Sequence, residues 1–197
     1  MKNILVVVGS GQQKGNTNQL ADAFIEGASA AGHKMTKVFL GNKTVNGCNG
    51  CEAYRTIKKC VQKDDMEAIY PLIHAADTIV LASPLYFWTI SARLKAFIER
   101  FYAIADVDSQ PLKGRYENYG NKDCALLMTA ADDLFWTFEQ ATSYYQFTCI
   151  NYLGWNNKGM LLAGGCGGSQ TKKNIGETGH LAAAFNFGST LYTEQSA

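Results

Sequence analysis

Apolar residues along the chain fall into two alternating patterns. Continuous runs occupy residues 4–8 (Ile4-Leu5-Val6-Val7-Val8), 78–82, 125–130 and 160–163, with a weaker run at 35–40. Short runs without polar alternation predict strands buried on both faces. Between them the apolar positions step by three and four: Leu20, Phe24, Ala28; then Met66, Ile69, Tyr70, Ile73; then Leu94, Phe97, Ile98, Phe101. Phe135, Phe138, Thr142, Tyr145 and finally Leu181, Ala184, Phe185, Leu191 continue the pattern. This spacing predicts amphipathic helices, the first starting near Asn18 and closed by Gly32, the second capped by Asp64 or Asp65. Residues 41–63 are polar with little periodicity. Five strand–helix units predict an α/β protein, a parallel sheet covered on both faces. In such sheets ligands bind beyond the carboxyl ends of the strands, where strand order reverses. The loops after Val8, Ala82, Ala130 and Ala163 are therefore the ones to inspect.

The first of these reads Ser10-Gly11-Gln12-Gln13-Lys14-Gly15-Asn16-Thr17. A small, polar, glycine-punctuated turn entering a helix suits a phosphate, because unpaired N–H groups and the helix dipole both favour an anion. Ser10, Asn16 and Thr17 add side-chain donors and Lys14 a positive charge; an ordinary loop with Asn16 or Thr17 as N-cap is the plainer reading. A Walker A loop would need Gly-Lys-Ser/Thr, and a dinucleotide fingerprint would need glycine where Lys14 stands. A mononucleotide phosphate fits better than either. The loop after the third strand, Ser83-Pro84-Leu85-Tyr86-Phe87-Trp88, places three consecutive aromatics at a strand end. Aromatic faces and peptide groups there suit a flat heterocycle, with Pro84 stiffening the turn. The alternative is a hydrophobic plug or a dimer contact.

These two loops carry a resemblance to the flavodoxin-like NAD(P)H-dependent FMN reductases, with their quinone, azo and nitro reductase relatives. Residues 9–17 resemble that family's G-S-x-R-x-x-G-N-T. Ser83-Pro84-Leu85-Tyr86-Phe87 followed by Ser91-Ala92-Arg93-Leu94-Lys95-Ala96-Phe97-Ile98-Glu99-Arg100 resembles its S-P-x-Y-[WF] and S-A-x-L-K-x-F-I-[DE]-R. Gln12 stands at the family's arginine position, leaving Lys14 as the loop's cation. The resemblance implies a single flavodoxin-like domain over residues 1–197, a three-layer α/β/α sandwich with a five-stranded parallel sheet in order 2-1-3-4-5. It implies FMN, with Ser10, Gln12, Lys14, Gly15, Asn16 and Thr17 at the phosphate. Pro84, Leu85, Tyr86, Phe87 and Trp88 would lie at the ring, and Thr129, Ala130, Ala131 and Asp132 at its pyrimidine edge. NADPH or NADH would supply electrons to a small acceptor, with the chemistry at flavin N5 and no catalytic side chain required. A homodimer or homotetramer is also implied.

Composition narrows the rest. The chain has 197 residues, 47% hydrophobic and 18% charged, with a net charge of +1 and no basic run. One domain is expected, and neither nucleic acid nor an anionic membrane has electrostatic support as a partner. A flavodoxin-type electron carrier would be expected to be strongly acidic for docking, which makes it the weaker alternative. No segment reads as a signal peptide or membrane span, so a cytoplasmic protein is expected. The histidines His33, His74 and His180 are scattered and read as surface residues. Cysteines stand at 48, 51, 60, 124, 149 and 166; without a secretory signal they read as thiols, Cys124 and Cys149 as core fillers. Cys48, Cys51 and Cys60 resemble part of the compact cluster motif of iron–sulfur flavoproteins, but Tyr54 stands where that motif has a further cysteine. No metal is expected there. A C-x5-R phosphatase motif is absent, since Lys172 stands at that offset from Cys166. Residues 164–168, rich in glycine, read as a turn before the last helix or as a substrate contact.

Overall fold

The computed structural model describes residues 1–104, 122–167 and 173–193. Its elements run β1 (Asn3–Val8), α1 (Asn16–Ala30), β2 (Lys34–Phe39), a short α2 (Tyr54–Ile57), α3 (Met66–Ala75), β3 (Thr78–Pro84) and α4 (Ala92–Glu99). Then follow β4 (Asp123–Thr129), α5 (Glu139–Tyr145), a π-helical segment (Gln146–Tyr152), β5 (Asn156–Ala163) and α6 (His180–Thr190). Among the described residues the sheet has five strands in the order β2-β1-β3-β4-β5, and every pairing is parallel. This is the expected flavodoxin-like arrangement.

The continuous apolar runs of β1, β3 and β4 are what a doubly covered sheet requires. The edge strand β5, expected buried over 160–163, instead starts at Asn156 and buries only Ala163, with Met160 42% exposed. Alternate residues of β1 feed opposite cores. Leu5 and Val7 pack with Ile73, Phe97 and Trp155 on one side, and Ile4, Val6 and Val8 with Leu20, Phe24 and Ala184 on the other. On that second side α1 and α6 approach through small residues. A methyl group on Gly27 would stand 1.9 Å from the Phe185 carbonyl oxygen, and one on Gly188 2.1 Å from that of Phe24. Strand order reverses between β1 and β3, so the loops that follow these two strands are neighbours at the carboxyl edge of the sheet.

Several element boundaries depart from the sequence expectation. The Gly15 carbonyl already accepts from the Asn18 and Gln19 N–H groups, so α1 starts at Asn16 with Gly15 at the N-cap. The helix expected around Phe135 starts at Glu139 instead. Residues 134–137 form a tight turn held by the Thr137 hydroxyl, which accepts from the Leu134 N–H at 2.9 Å, and Phe135 is 93% exposed. In α6 the buried positions are Ala184 and Gly188, while Phe185 stays largely outside and Leu191 follows the helix end. Gly168 and Lys172 lie outside the described residues.

Candidate functional site

The phosphate-loop residues all sit at the carboxyl end of β1 and the start of α1. Their side chains, however, are largely committed within the protein. The Ser10 hydroxyl, 4% exposed, accepts from the Gln12 N–H at 3.1 Å. The Asn16 amide donates to the Cys166 carbonyl at 3.3 Å and accepts from the Ile175 N–H at 3.5 Å. The buried Thr17 hydroxyl bonds that of Thr129 at 2.6 Å. What the loop keeps available is backbone: the N–H groups of Gly11, Gln13, Lys14, Asn16 and Thr17 have no partner among the described residues. Helix α1 has no side-chain cap and no acidic residue in its first turn. Its dipole end is thus uncompensated, the condition for binding an anion.

The second loop turns sharply. The Tyr86 N–H donates to the Thr89 carbonyl at 3.0 Å and the Thr89 N–H returns to Tyr86 at 3.2 Å. Phe87 and Trp88 at the tip have φ of 48° and 60°. Such a turn ordinarily takes Asn-Gly, because side chains are strained in the left-handed region. Here it holds two aromatics, Phe87 93% exposed and Trp88 stacked at 5.9 Å against Trp136. Strain of this kind marks functional segments more often than ordinary loops.

Leu85, Tyr86, Phe87 and Trp88 share a cleft of about 290 Å³ with Ala130, Ala131, Asp132 and Thr137. Seven of these eight residues are ones that the sequence had placed at a ring. Pro84 closes β3 behind them, buried and paired in register with Thr129. Phe87 and Trp88 also border a second cleft of about 540 Å³ with Trp136, Glu139 and Tyr144. The titratable groups of the first cleft are Tyr86 and Asp132, both exposed. Among the described residues its lining therefore holds no buried general acid or base.

Ser91, a position of the second motif, ties the two loops together. Ser91 caps α4: its hydroxyl accepts from the Leu94 N–H at 3.2 Å and donates to the Gly9 carbonyl at 2.7 Å. Its N–H in turn donates to the Ser83 hydroxyl at 2.8 Å. Gly9 has no room for a side chain, since a methyl there would stand 2.6 Å from the Ser91 oxygen. A serine three residues before Leu94 at a helix start was the signal available for this cap. The Leu85 N–H joins the same frame by donating to the Thr129 carbonyl at 2.8 Å.

Of the histidines, His74 is exposed, whereas His33 accepts from the Lys2 N–H and His180 bonds the Gly164 carbonyl. Cys124 and Cys149 are buried in the core, and all six cysteines are free thiols. Cys166, also buried, donates to the Ala163 carbonyl, and burial pushes its thiol up.

A doubly wound parallel sheet with an anion-ready loop after β1 and an aromatic cleft between the loops after β3 and β4 defines an α/β protein of flavodoxin type. Residues 2–133 match the NADPH-dependent FMN reductase family, and the chain belongs to it. It is similar to an iron-sulfur flavoprotein of Archaeoglobus fulgidus, 33% identical over 110 residues, covering 56% of this chain and 49% of that one. A second, from Methanosarcina thermophila, is 36% identical over 94 residues, covering 48% and 49%. The chain spans about half the length of the curated relatives it matches. In fold it is similar to the NAD(P)H:quinone oxidoreductase of Methanothermobacter marburgensis, with a TM-score of 0.75 at 17% identity, covering 100% and 98% of the two chains.

The donor set of the cleft region fits FMN: unpaired N–H groups for a phosphate at one end and aromatic faces with few charges at the other. An iron–sulfur cluster fits less well. Cys48, Cys51 and Cys60 line one small cavity with Tyr54 and Arg100, but three thiols fall one short of all-cysteine ligation. The Arg100 guanidinium donates to the Cys60 sulfur at 3.2 Å, and the Gln62 N–H does so at 3.4 Å. Among the described residues no group of three or more His, Cys, Asp or Glu is disposed to hold a metal ion.

Proposed function

We propose that this protein binds FMN in the crevice between the 10–17 and 84–88 loops and passes electrons from NADPH or NADH to a small acceptor such as a quinone, flavin, azo or nitro compound. The observation that supports this most directly is the pairing of an uncompensated helix N-terminus with an aromatic cleft, linked through Ser91 and Thr17–Thr129. Bound flavin supplies the hydride chemistry. The chain's own residues bind, orient and shield. The N–H groups of Gly11, Gln13, Lys14, Asn16 and Thr17 hold the phosphate, and residues 85–88 and 130–132 border the ring. Trp88 and Trp136 exclude water from the side on which a second flat molecule would stack. Ser10, Gly15, Asn16, Thr17 and Thr129 fix the loops in place instead of donating hydroxyls or amides, while Gln12 and Lys14 remain exposed at the rim.

Exposed Phe87, Trp88, Phe135 and Trp136 beside the crevice favour a homodimer that covers them, and the free thiols favour the cytoplasm. None of the helices in the described residues is long and apolar enough to cross a membrane. The test is an absorption spectrum of the purified protein, before and after FMN and then NADPH. A flavin band that bleaches with the nicotinamide and returns with a quinone is expected. Absence of any flavin binding would sink the proposal. A second reading, a cluster-bearing relative, rests on the three thiols around one cavity. Iron in anaerobically purified protein at several atoms per chain would favour it.

A further inference from the structure

Arg93 lies in the first turn of α4, two residues after the Ser91 cap, and its guanidinium rests against the phosphate loop. A methyl group on Gly11 would stand 3.1 Å from one terminal nitrogen of Arg93, 3.3 Å from its Cζ and 3.5 Å from the other nitrogen. Among the described residues the Arg93 side chain has no ion pair, and none of the hydrogen bonds uses it. The surroundings make that surprising. The N-termini of α1 and α4 converge here through the Ser91–Gly9 bond, and neither first turn carries an acidic residue. Arginine at a helix N-terminus is on the unfavourable end of the dipole. Two positive dipole ends, Lys14 and Arg93 therefore gather positive potential, and among the described residues no acidic side chain stands in either first turn or pairs with Arg93. Neutral Gln12 contributes none, and its side chain packs beside Gly15.

We propose that Arg93 is the specificity-determining cation for a phosphate monoester on this loop, pairing with the 5′-phosphate of the flavin. The inference rests on the FMN reading above. A guanidinium presents paired N–H donors that match phosphate geometry, which the single ammonium of Lys14 does not. Its exposed guanidinium lies beside Gly11, at one end of the loop that carries the unpaired N–H groups, and it does not line the aromatic cleft, so the flavin phosphate is its partner in preference to a phosphate on the nicotinamide donor. Gly11 is the close approach here: a methyl group at that position would crowd the guanidinium, which would have to give by a few tenths of an ångström.

The apoprotein is titrated with FMN and with riboflavin, which lacks the phosphate, by flavin fluorescence. Wild type, Arg93→Ala, Arg93→Lys, Gly11→Ala and the Gly11→Ala/Arg93→Ala double variant are compared. Loss of one charge-assisted pair lowers FMN affinity about tenfold or more in Arg93→Ala, with riboflavin affinity unchanged. Arg93→Lys recovers part of the loss. Gly11→Ala weakens FMN alone and adds little to Arg93→Ala, because both act through the same contact. FMN affinity within twofold of wild type in Arg93→Ala overturns the proposal, as does an equal loss for riboflavin. A raised KM for NADPH but not NADH, with FMN affinity intact, also overturns it and assigns Arg93 to the donor. Wild-type protein that binds neither flavin overturns the cofactor reading itself.

Discussion

Replacing Ser91 with alanine tests whether the two loops are held as one unit. The hydroxyl has two duties, capping α4 through Leu94 and donating to the Gly9 carbonyl at 2.7 Å, and the residue is 2% exposed. Loss of an N-cap costs about 1 kcal/mol. The Gly9 carbonyl would be left buried without its donor, at about 1–3 kcal/mol more. Burial prevents water from replacing either bond, so Ser91→Ala is expected to lose about 2–4 kcal/mol in all. For a chain of this size each kcal/mol moves the melting temperature by about 2–4 °C, which predicts a fall of roughly 4–16 °C in the apoprotein. Circular dichroism melts and urea titration measure it, the latter with an unchanged m-value if only the native state is affected. Because Gly9 adjoins the phosphate loop, FMN affinity should fall as well. A melting temperature within 2 °C of wild type would refute the idea that Ser91 anchors Gly9, whatever happened to the flavin.

Thr17→Val and Thr129→Val each strand one buried hydroxyl and should cost about 1–3 kcal/mol, while the double variant should cost less than their sum. A double-mutant cycle of urea unfolding with no coupling would show that the two hydroxyls do not bond. Phe87→Gly relieves a left-handed side chain that is almost fully exposed, so the apoprotein should gain about 1 kcal/mol while flavin affinity falls; a lower melting temperature would count against strain at this turn. Asp64 forms an ion pair with Arg100, and both side chains are fully enclosed. Burial pushes the Asp64 carboxyl up, but the Arg100 hydrogen bond and the N–H groups of Asn46 and Met66 outweigh it and hold it below its ordinary value. Its contribution is therefore complete above the unfolded carboxylate pKa of about 4 and disappears as pH falls through the lower folded value. Asp64→Asn should cost about 3–5 kcal/mol at pH 7, with the gap from wild type narrowing below about pH 4 in pH-dependent melts.

Strand identity and sheet class were legible because continuous apolar runs have few other uses in a chain this short. The turn-forming loops were legible as well, as residues 85–88 and 130–132 meet in one cleft. Side-chain roles were not. Ser10, Asn16 and Thr17 have the chemistry of phosphate ligands, but Ser10 bonds Gln12 two residues on in a local turn, and Asn16 and Thr17 find partners 112 to 159 positions away that no local pattern reveals. Arg93 was invisible for the same reason, since its nearness to Gly11 depends on the packing of α4 against β1. The failed helix start at Phe135 has a local cause. Thr137 bonds back to Leu134, a competition with helix that threonine commonly offers but that periodicity does not register.

The division of labour between the two ends of the crevice has a consequence for what the protein would accept. Its floor is fixed: Ser83, Ser91 and Gly9 form one buried chain of hydrogen bonds, and Thr17 and Thr129 join β4 to α1. Its aromatic rim is held by two short turns, 86–89 and 134–137, with Phe87 and Phe135 each 93% exposed. A rigid floor orients one ligand closely, because the cost of ordering it has already been met in folding. A rim dominated by exposed rings presents flat apolar faces with few directional polar groups to reject a substrate, and hydrogen-bonding sites are what give strong discrimination. On the proposed reading, discrimination should therefore be sharp for the flavin phosphate and weak among flat acceptors. Relative kcat/KM values for a set of quinones, azo dyes and nitroaromatics should follow reduction potential more closely than shape. A single acceptor preferred by more than about 1,000-fold over others of equal potential would mean that the rim is reorganised into a specific pocket.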